Sequence, residues 1–127
     1  MGLELKEGIL LADRFVVRAD MSAKSVGSGD LEVLATPILI AKLENVAMRA
    51  VADLLPEGST TVGGYVELSH LKPTPIGAEV IVEARLEKVS GRKLHFKLTA
   101  TEGGTAIGDG THIRFIVDRL KFIGKMS

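Results

Sequence analysis

Two residues suited to moving protons fall where a protein core is expected. In LATPILIAKLENVAMRAV, residues 34–51, apolar side chains recur at helical spacing. Stepping about 100° per residue from Pro37 gathers Lys42, Asn45, Arg49 and Asp53 into one polar stripe, centred at about 120° on the helical wheel. Glu44 falls at about 340°, between Val51 and Leu55 and close to Ile40 and Met48, and is the only charge on the apolar arc. A charged carboxylate buried without partners is costly, so its surroundings must supply hydrogen bonds, a cation or a raised pKa. The bland alternative is a Glu44 paired with an arginine, or a satisfied polar contact at a subunit interface.

The second residue is His70. In TTVGGYVELSHL, residues 60–71, Val62, Val66 and Leu68 form the apolar parity and His70 shares it, while Tyr65, Glu67 and Ser69 point the other way. A lone histidine on an apolar face is ordinarily a satisfied core residue. An inward carboxylate together with an inward imidazole is the usual equipment for proton transfer. Gly63 and Gly64 inside the same strand signal a bulge or a close backbone approach, with a ligand as one candidate for what approaches. His95, between Lys93 and Lys97, reads as solvated. His112 and Arg114 share the polar parity of a strand whose other side is Ile113, Phe115 and Val117, which reads as an exposed basic strand end.

The elements that must position these groups are one helix and five strands. RFVVRADM, residues 14–21, alternates as a strand, with Phe15, Val17, Ala19 and Met21 on one side. KSVGSGD, residues 24–30, reads as a mobile loop. Thr36 followed by Pro37 starts a helix, with the hydroxyl as cap, and Pro56 and Gly58 stop it near Leu55. Period-two alternation then marks strands at 60–71, 79–89, 93–100 and 105–118, and the short connections between the last three imply an antiparallel meander. A helix apolar over most of its circumference is buried economically by a sheet that curls around it, which makes the class α+β.

Composition narrows the function. The 127 residues suit a single domain spanning 1–127, and 16 basic residues balance 16 acidic ones with no run of either sign, so nucleic-acid and membrane partners are not indicated. The absence of cysteine removes thiolate catalysis, disulfides and Cys-ligated metal, and three scattered histidines offer no metal-ligand spacing. No apolar run reaches the ~20 residues of a membrane span, and MGLELKEGILLADRF has no basic segment before an apolar one, so the default location is cytoplasmic.

Several short segments carry a resemblance. "LATP" with Thr36, the glutamate eight residues on at Glu44, "GGYVELSH" ending in His70, the "PTPIGAEV" turn, "SGRKLHF" and "IGDGTHIRF" stand in an order and spacing that together resemble the hotdog-fold acyl-CoA thioesterases, in the branch that includes fluoroacetyl-CoA thioesterase. These cover most of residues 33–117. The resemblance implies a five-stranded antiparallel sheet wrapped around one central helix, hydrolysis of an acyl-CoA, Thr36, Glu44 and His70 as the catalytic set, Gly63 lending an N–H to the thioester carbonyl, and Arg114 near the CoA side. It also implies a homodimer or a higher oligomer, with sites at the interface, and neither metal nor cofactor beyond the CoA of the substrate. Fluoroacetyl-specific members carry phenylalanines in a lid before the helix, whereas KSVGSGDLEVLA here has no aromatic residue, so the expectation is a general short-acyl thioesterase.

Glu44 can then attack the thioester or activate water, and both routes stay open. Gly63 or Gly64 N–H groups, helped by the positive end of the helix, are the candidate oxyanion donors. Eight residues of helix rise ~12 Å, too far for Thr36 to reach Glu44 directly, so either the chain bends sharply at Thr36 or the two meet across subunits. Two other functions remain: a non-catalytic acyl-CoA-binding or sensing module, and a hydroxyacyl thioester dehydratase, whose usual HFP-type motif is missing here.

Overall fold

The structure, a computed structural model, describes residues 5–126. Its elements in chain order are β1 (Leu10–Val16), a 3-10 turn (Ala19–Met21), α1 (Ala23–Val26), α2 (Thr36–Ala52), β2 (Ser59–His70), β3 (Glu79–Ser90), β4 (Lys93–Glu102), β5 (Thr105–Asp118) and α3 (Arg119–Gly124). The five strands form one antiparallel sheet in the order β1-β3-β4-β5-β2, so β1 and β2 are its edges. β3, β4 and β5 make the expected meander. Gly103 and Gly104, both at positive φ, close the β4–β5 turn, a conformation that side chains with a Cβ resist.

Helix α2 lies on the concave face and packs chiefly on β3. Its Leu39, Leu43, Val46, Ala47 and Val51 are buried against Val80, Val82, Ala84 and Leu86 of β3 and Leu94, Phe96, Leu98 and Ala100 of β4. The polar stripe Lys42, Asn45, Arg49 and Asp53 lies on the outer side, as the helical wheel requires, and Lys42 reaches over the Phe15 ring. This is the hotdog arrangement.

Four expectations are corrected. β1 runs over Leu10–Val16 rather than 14–21: Val17 and Met21 are buried as their alternation implied, but the chain turns through Ala19–Met21 to bring Met21 under the helix start. The segment 24–30 is not an open loop. Its start is the short helix α1, capped by Ser22, and backbone bonds from Ala23 to Val33, Lys24 to Leu31 and Leu34 to Thr74 hold the segment down. Helix α2 is capped at Ala35, so Thr36 is its first residue and no side chain caps it; it ends at Ala52, not Leu55.

The fourth correction inverts β5. His112 is fully buried and Arg114 only 7% exposed, whereas Phe115 lies outward. Registration with β4 sets Leu94 beside Arg114, Phe96 beside His112, Leu98 beside Gly110 and Ala100 beside Gly108, so the inward row of β5 is Gly108, Gly110, His112 and Arg114. Gly108 leaves room for the helix, since a Cβ there would stand 3.2 Å from Leu39, and Gly110 leaves room for the β2 backbone at Glu67 and Leu68. The bulky outward Phe115 instead packs on Gly64 of β2.

Candidate active site

Two half-sites stand at opposite ends of β2. The first joins Thr36 and His70. Because Ala35 takes the cap position, the Thr36 hydroxyl is free of the helix start and lies 2.7 Å from His70 Nδ1. His70 ends β2 on its inward parity, half-buried, and its Nε2 is buried without a partner among the described residues. Burial holds this imidazole below its ordinary pKa. Beside the pair opens a cleft of about 280 Å³ lined by Ala23, Ser28, Val33, Leu34, Thr36, His70 and Pro73. Ala23, Ser28, Val33 and Leu34 of its wall come from the segment before α2, and Pro73 follows β2.

The second half-site is built around Gly63. Between Gly63 and Tyr65 the β2–β5 register shifts, and Gly64 is the extra residue of a bulge. The bulge switches the inward parity of β2 from Thr61 and Gly63 to Val66, Leu68 and His70, which is why Val62 pairs with outward Phe115 rather than joining the core. A Cβ placed on Gly63 would meet Glu44 Oε2 at 3.0 Å, His112 Cε1 at 3.2 Å and Arg114 Nη1 at 3.5 Å. Only glycine leaves that space open. Glu44 is half-buried on the flank of α2 that faces β2, in a row with Ile40 and Met48, and makes no ion pair among the described residues.

Arg114 is committed inward instead. Its Nε donates to Thr61 Oγ1 at 2.7 Å, Nη2 to the Thr61 carbonyl at 2.9 Å and Nη1 to His112 Nε2 at 3.1 Å. His112 Nδ1 donates to the Tyr65 carbonyl at 2.7 Å. A carbonyl only accepts and a guanidinium only donates, so His112 is neutral with its proton on Nδ1. Burial lowers the His112 pKa; the Tyr65 carbonyl and Glu44 oppose this, and Arg114 adds to it. Burial also lowers Arg114, against the pull of Glu44.

The structure thus brings Thr36 to His70, and Glu44 to Gly63, with Arg114 behind. It does not bring the two groups together within one chain. Helix α2 is continuous from Thr36 past Glu44, a rise of ~12 Å, and Gly63 and His70 are separated by ~20 Å of strand. His112 and Arg114 are both expected from the sequence on an exposed strand end; both are buried, on an inward row that Gly108 and Gly110 complete without a hydropathy signal. Among the described residues no group of His, Asp or Glu side chains is placed to hold a metal ion, and no helix is long and apolar enough to cross a membrane.

Comparison with known proteins gives the same frame. The chain is 36% identical over 95 residues to the fluoroacetyl-CoA thioesterase of Streptantibioticus cattleyicolor, covering 75% of this chain and 68% of that one. A solved structure of the fluoroacetyl-CoA thioesterase FlK superposes with a TM-score of 0.90 at 29% identity, over 97% of this chain and 96% of the other. Variants of FlK have been solved with fluoroacetate and CoA and with acetyl-CoA. A thioesterase superfamily member from Thermus thermophilus superposes with a TM-score of 0.90 at 27% identity, over 97% and 91% of the two chains. Residues 17–120, which hold both half-sites, match the family described as fluoroacetyl-CoA-specific thioesterase, and the chain belongs to that family.

Proposed function

We propose that this chain hydrolyses a short-chain acyl-CoA to the free acid and CoA, as a homodimer in which Thr36 and His70 of one protomer meet Glu44 and Gly63 of its partner. The observation that carries the reading is the separation of two complementary half-sites along one unpaired edge strand. Antiparallel pairing of β2 with its own copy, about an axis near Val66 and Glu67, sets His70 of one chain opposite Gly63 of the other, because that axis lies midway between them. The same pairing covers an edge whose backbone groups are otherwise free. It also brings together the half-buried rows Ile40, Glu44 and Met48 of the two helices.

The chemistry follows from the groups that meet. Accepting the Thr36 hydroxyl proton at Nδ1, His70 carries its own at Nε2, where the buried N–H needs an acceptor; the partner's Glu44 carboxylate is one. That carboxylate, which makes no ion pair among the described residues, attacks the thioester carbon or takes the proton of a water that does. In both routes the carbonyl oxygen gains negative charge, and N–H groups of the bulge at Gly63 and Gly64 are the donors for it. The C–S bond then breaks and CoA leaves as the thiolate. On the water route the proton taken by Glu44 passes to that thiolate, by way of His70 where required; on the direct route water hydrolyses the acyl–Glu44 anhydride, which frees the acid and restores the carboxylate. The cleft beside Thr36 and His70 takes the acyl group. With Ala23, Val33, Leu34 and Pro73 along it and no phenylalanine, tyrosine or tryptophan in its lining, it suits a short aliphatic acyl chain rather than fluoroacetyl alone. Acyl-CoA substrates accord with a cytoplasmic location.

Thiol release measured across a panel of acyl-CoAs tests this. Turnover of short-chain acyl-CoAs is expected. Tight binding without thiol release across the panel would establish an acyl-CoA-binding module and overturn the hydrolytic reading.

A further inference from the structure

We infer that Arg114 is a positioning residue: together with His112 it clamps the bulge at Gly63–Tyr65 and fixes the aim of the glycine N–H groups at the thioester carbonyl. The role in turnover rests on the hydrolytic reading above; the clamp itself rests on geometry alone. A bulge interrupts the ladder that otherwise fixes a strand, so residues 63–65 need another restraint. One is present on the inner face. Arg114 grips Thr61, two residues before Gly63, through both its hydroxyl and its carbonyl, and His112 grips the carbonyl of Tyr65, just after the bulge. The 3.1 Å bond from Arg114 Nη1 to His112 Nε2 closes the span. Four hydrogen bonds therefore bracket the bulge from beneath.

The chain uses three features that a merely buried pair would not need. The neutral tautomer of His112 lets one ring join a carbonyl acceptor to a guanidinium donor, which a charged imidazole cannot do. The planar fork of arginine reaches Thr61 and His112 at once, a geometry lysine cannot reproduce. With Nε, Nη1 and Nη2 all engaged and the residue 7% exposed, Arg114 is closed to a polyphosphate at the surface, so its part is not to hold the CoA tail.

The test compares the wild-type chain with Arg114→Lys, which keeps the charge and loses the fork. We expect kcat to fall by at least ~10-fold while KM stays within about twofold, because the reacting centre is misaimed rather than the substrate released. Amide hydrogen exchange at Gly63, Gly64 and Tyr65 should quicken by at least ~10-fold in the same variant, a readout independent of catalysis. A raised KM with unchanged kcat would make Arg114 a CoA contact and overturn the inference, as would unchanged kcat with unchanged exchange. Should Arg114→Lys not fold, Thr61→Val removes one acceptor with little change of shape and is expected to move kcat and exchange in the same directions by a few-fold; no movement overturns the clamp. A wild-type chain that releases no thiol sinks the hydrolytic reading and the role in turnover, and the exchange comparison alone then decides the clamp.

Discussion

The Thr36 hydroxyl meets His70 Nδ1 at 2.7 Å, tying the first residue of α2 to the last residue of β2. That contact is useful only while the imidazole is neutral enough to accept a proton. Burial lowers its pKa from 6.5, so the neutral form persists below the pH at which an exposed histidine would charge. We expect kcat/KM to be flat above pH 6.5 and to decline only below it. A limb assigned to His70 above that value would contradict the assignment. The sign for stability is the same: the unfolded chain takes up the proton first as pH falls through 6.5, so the stability linked to His70 is present above that pH and lost below it.

Glu44 makes no ion pair among the described residues, and its Oε2 lies over Gly63. Changing Glu44 to Gln keeps the shape and removes the basicity, and we expect turnover to fall by ~100-fold or more with the thermal transition little changed. Near-normal turnover in a folded Glu44→Gln protein would remove Glu44 from the chemistry.

At Gly63 an added methyl group reports on the site without replacing a titratable side chain. A Cβ there would press on Glu44 Oε2 and on the His112 ring. We expect Gly63→Ala to lower kcat by at least ~10-fold, since displacement of a reacting group by even a fraction of an ångström is costly. Wild-type kinetics for Gly63→Ala would mean that this carboxylate is not held where the reaction occurs.

Much of this architecture could be read from the sequence. The inward glutamate, the inward histidine and the paired glycines were legible because each breaks a pattern that is otherwise clear: a helical wheel in one case, strand alternation in the others. The β3–β5 meander was legible for the same reason. The inversion of β5 was not, because glycine carries no hydropathy signal; with Gly108 and Gly110 on the inner row, the large outward Ile113 and Phe115 counterfeit a core face. Thr36 was read as a cap because threonine before proline normally is one. Its true partner lies 34 residues away, a distance no local pattern spans.

Chelation separates a carboxylate-and-imidazole site from a metal one. Among the described residues no three ligand-type side chains converge. We expect EDTA to leave the rate unchanged; activity lost with EDTA and restored by a divalent ion would overturn the site proposed here.

The remaining prediction concerns how the half-sites combine. Within one chain, helix α2 is unbroken from Thr36 past Glu44 and holds them ~12 Å apart along its axis. If β2 pairs with its copy, each complete site draws Thr36 and His70 from one protomer and Glu44 and Gly63 from the other. Light scattering should then report a dimer, and a monomer with full activity would defeat the arrangement. Thr36→Ala and Glu44→Ala homodimers should each be nearly inactive. Mixed and allowed to exchange subunits, they form heterodimers in which one site carries both substitutions and the other carries neither. Activity should therefore rise toward about one quarter of the wild-type value at equal mixing, since half of the dimers are mixed and half of their sites are intact. If subunits exchange freely and no activity returns, Thr36 and Glu44 do not meet across the interface, and the two ends of β2 do not form one site.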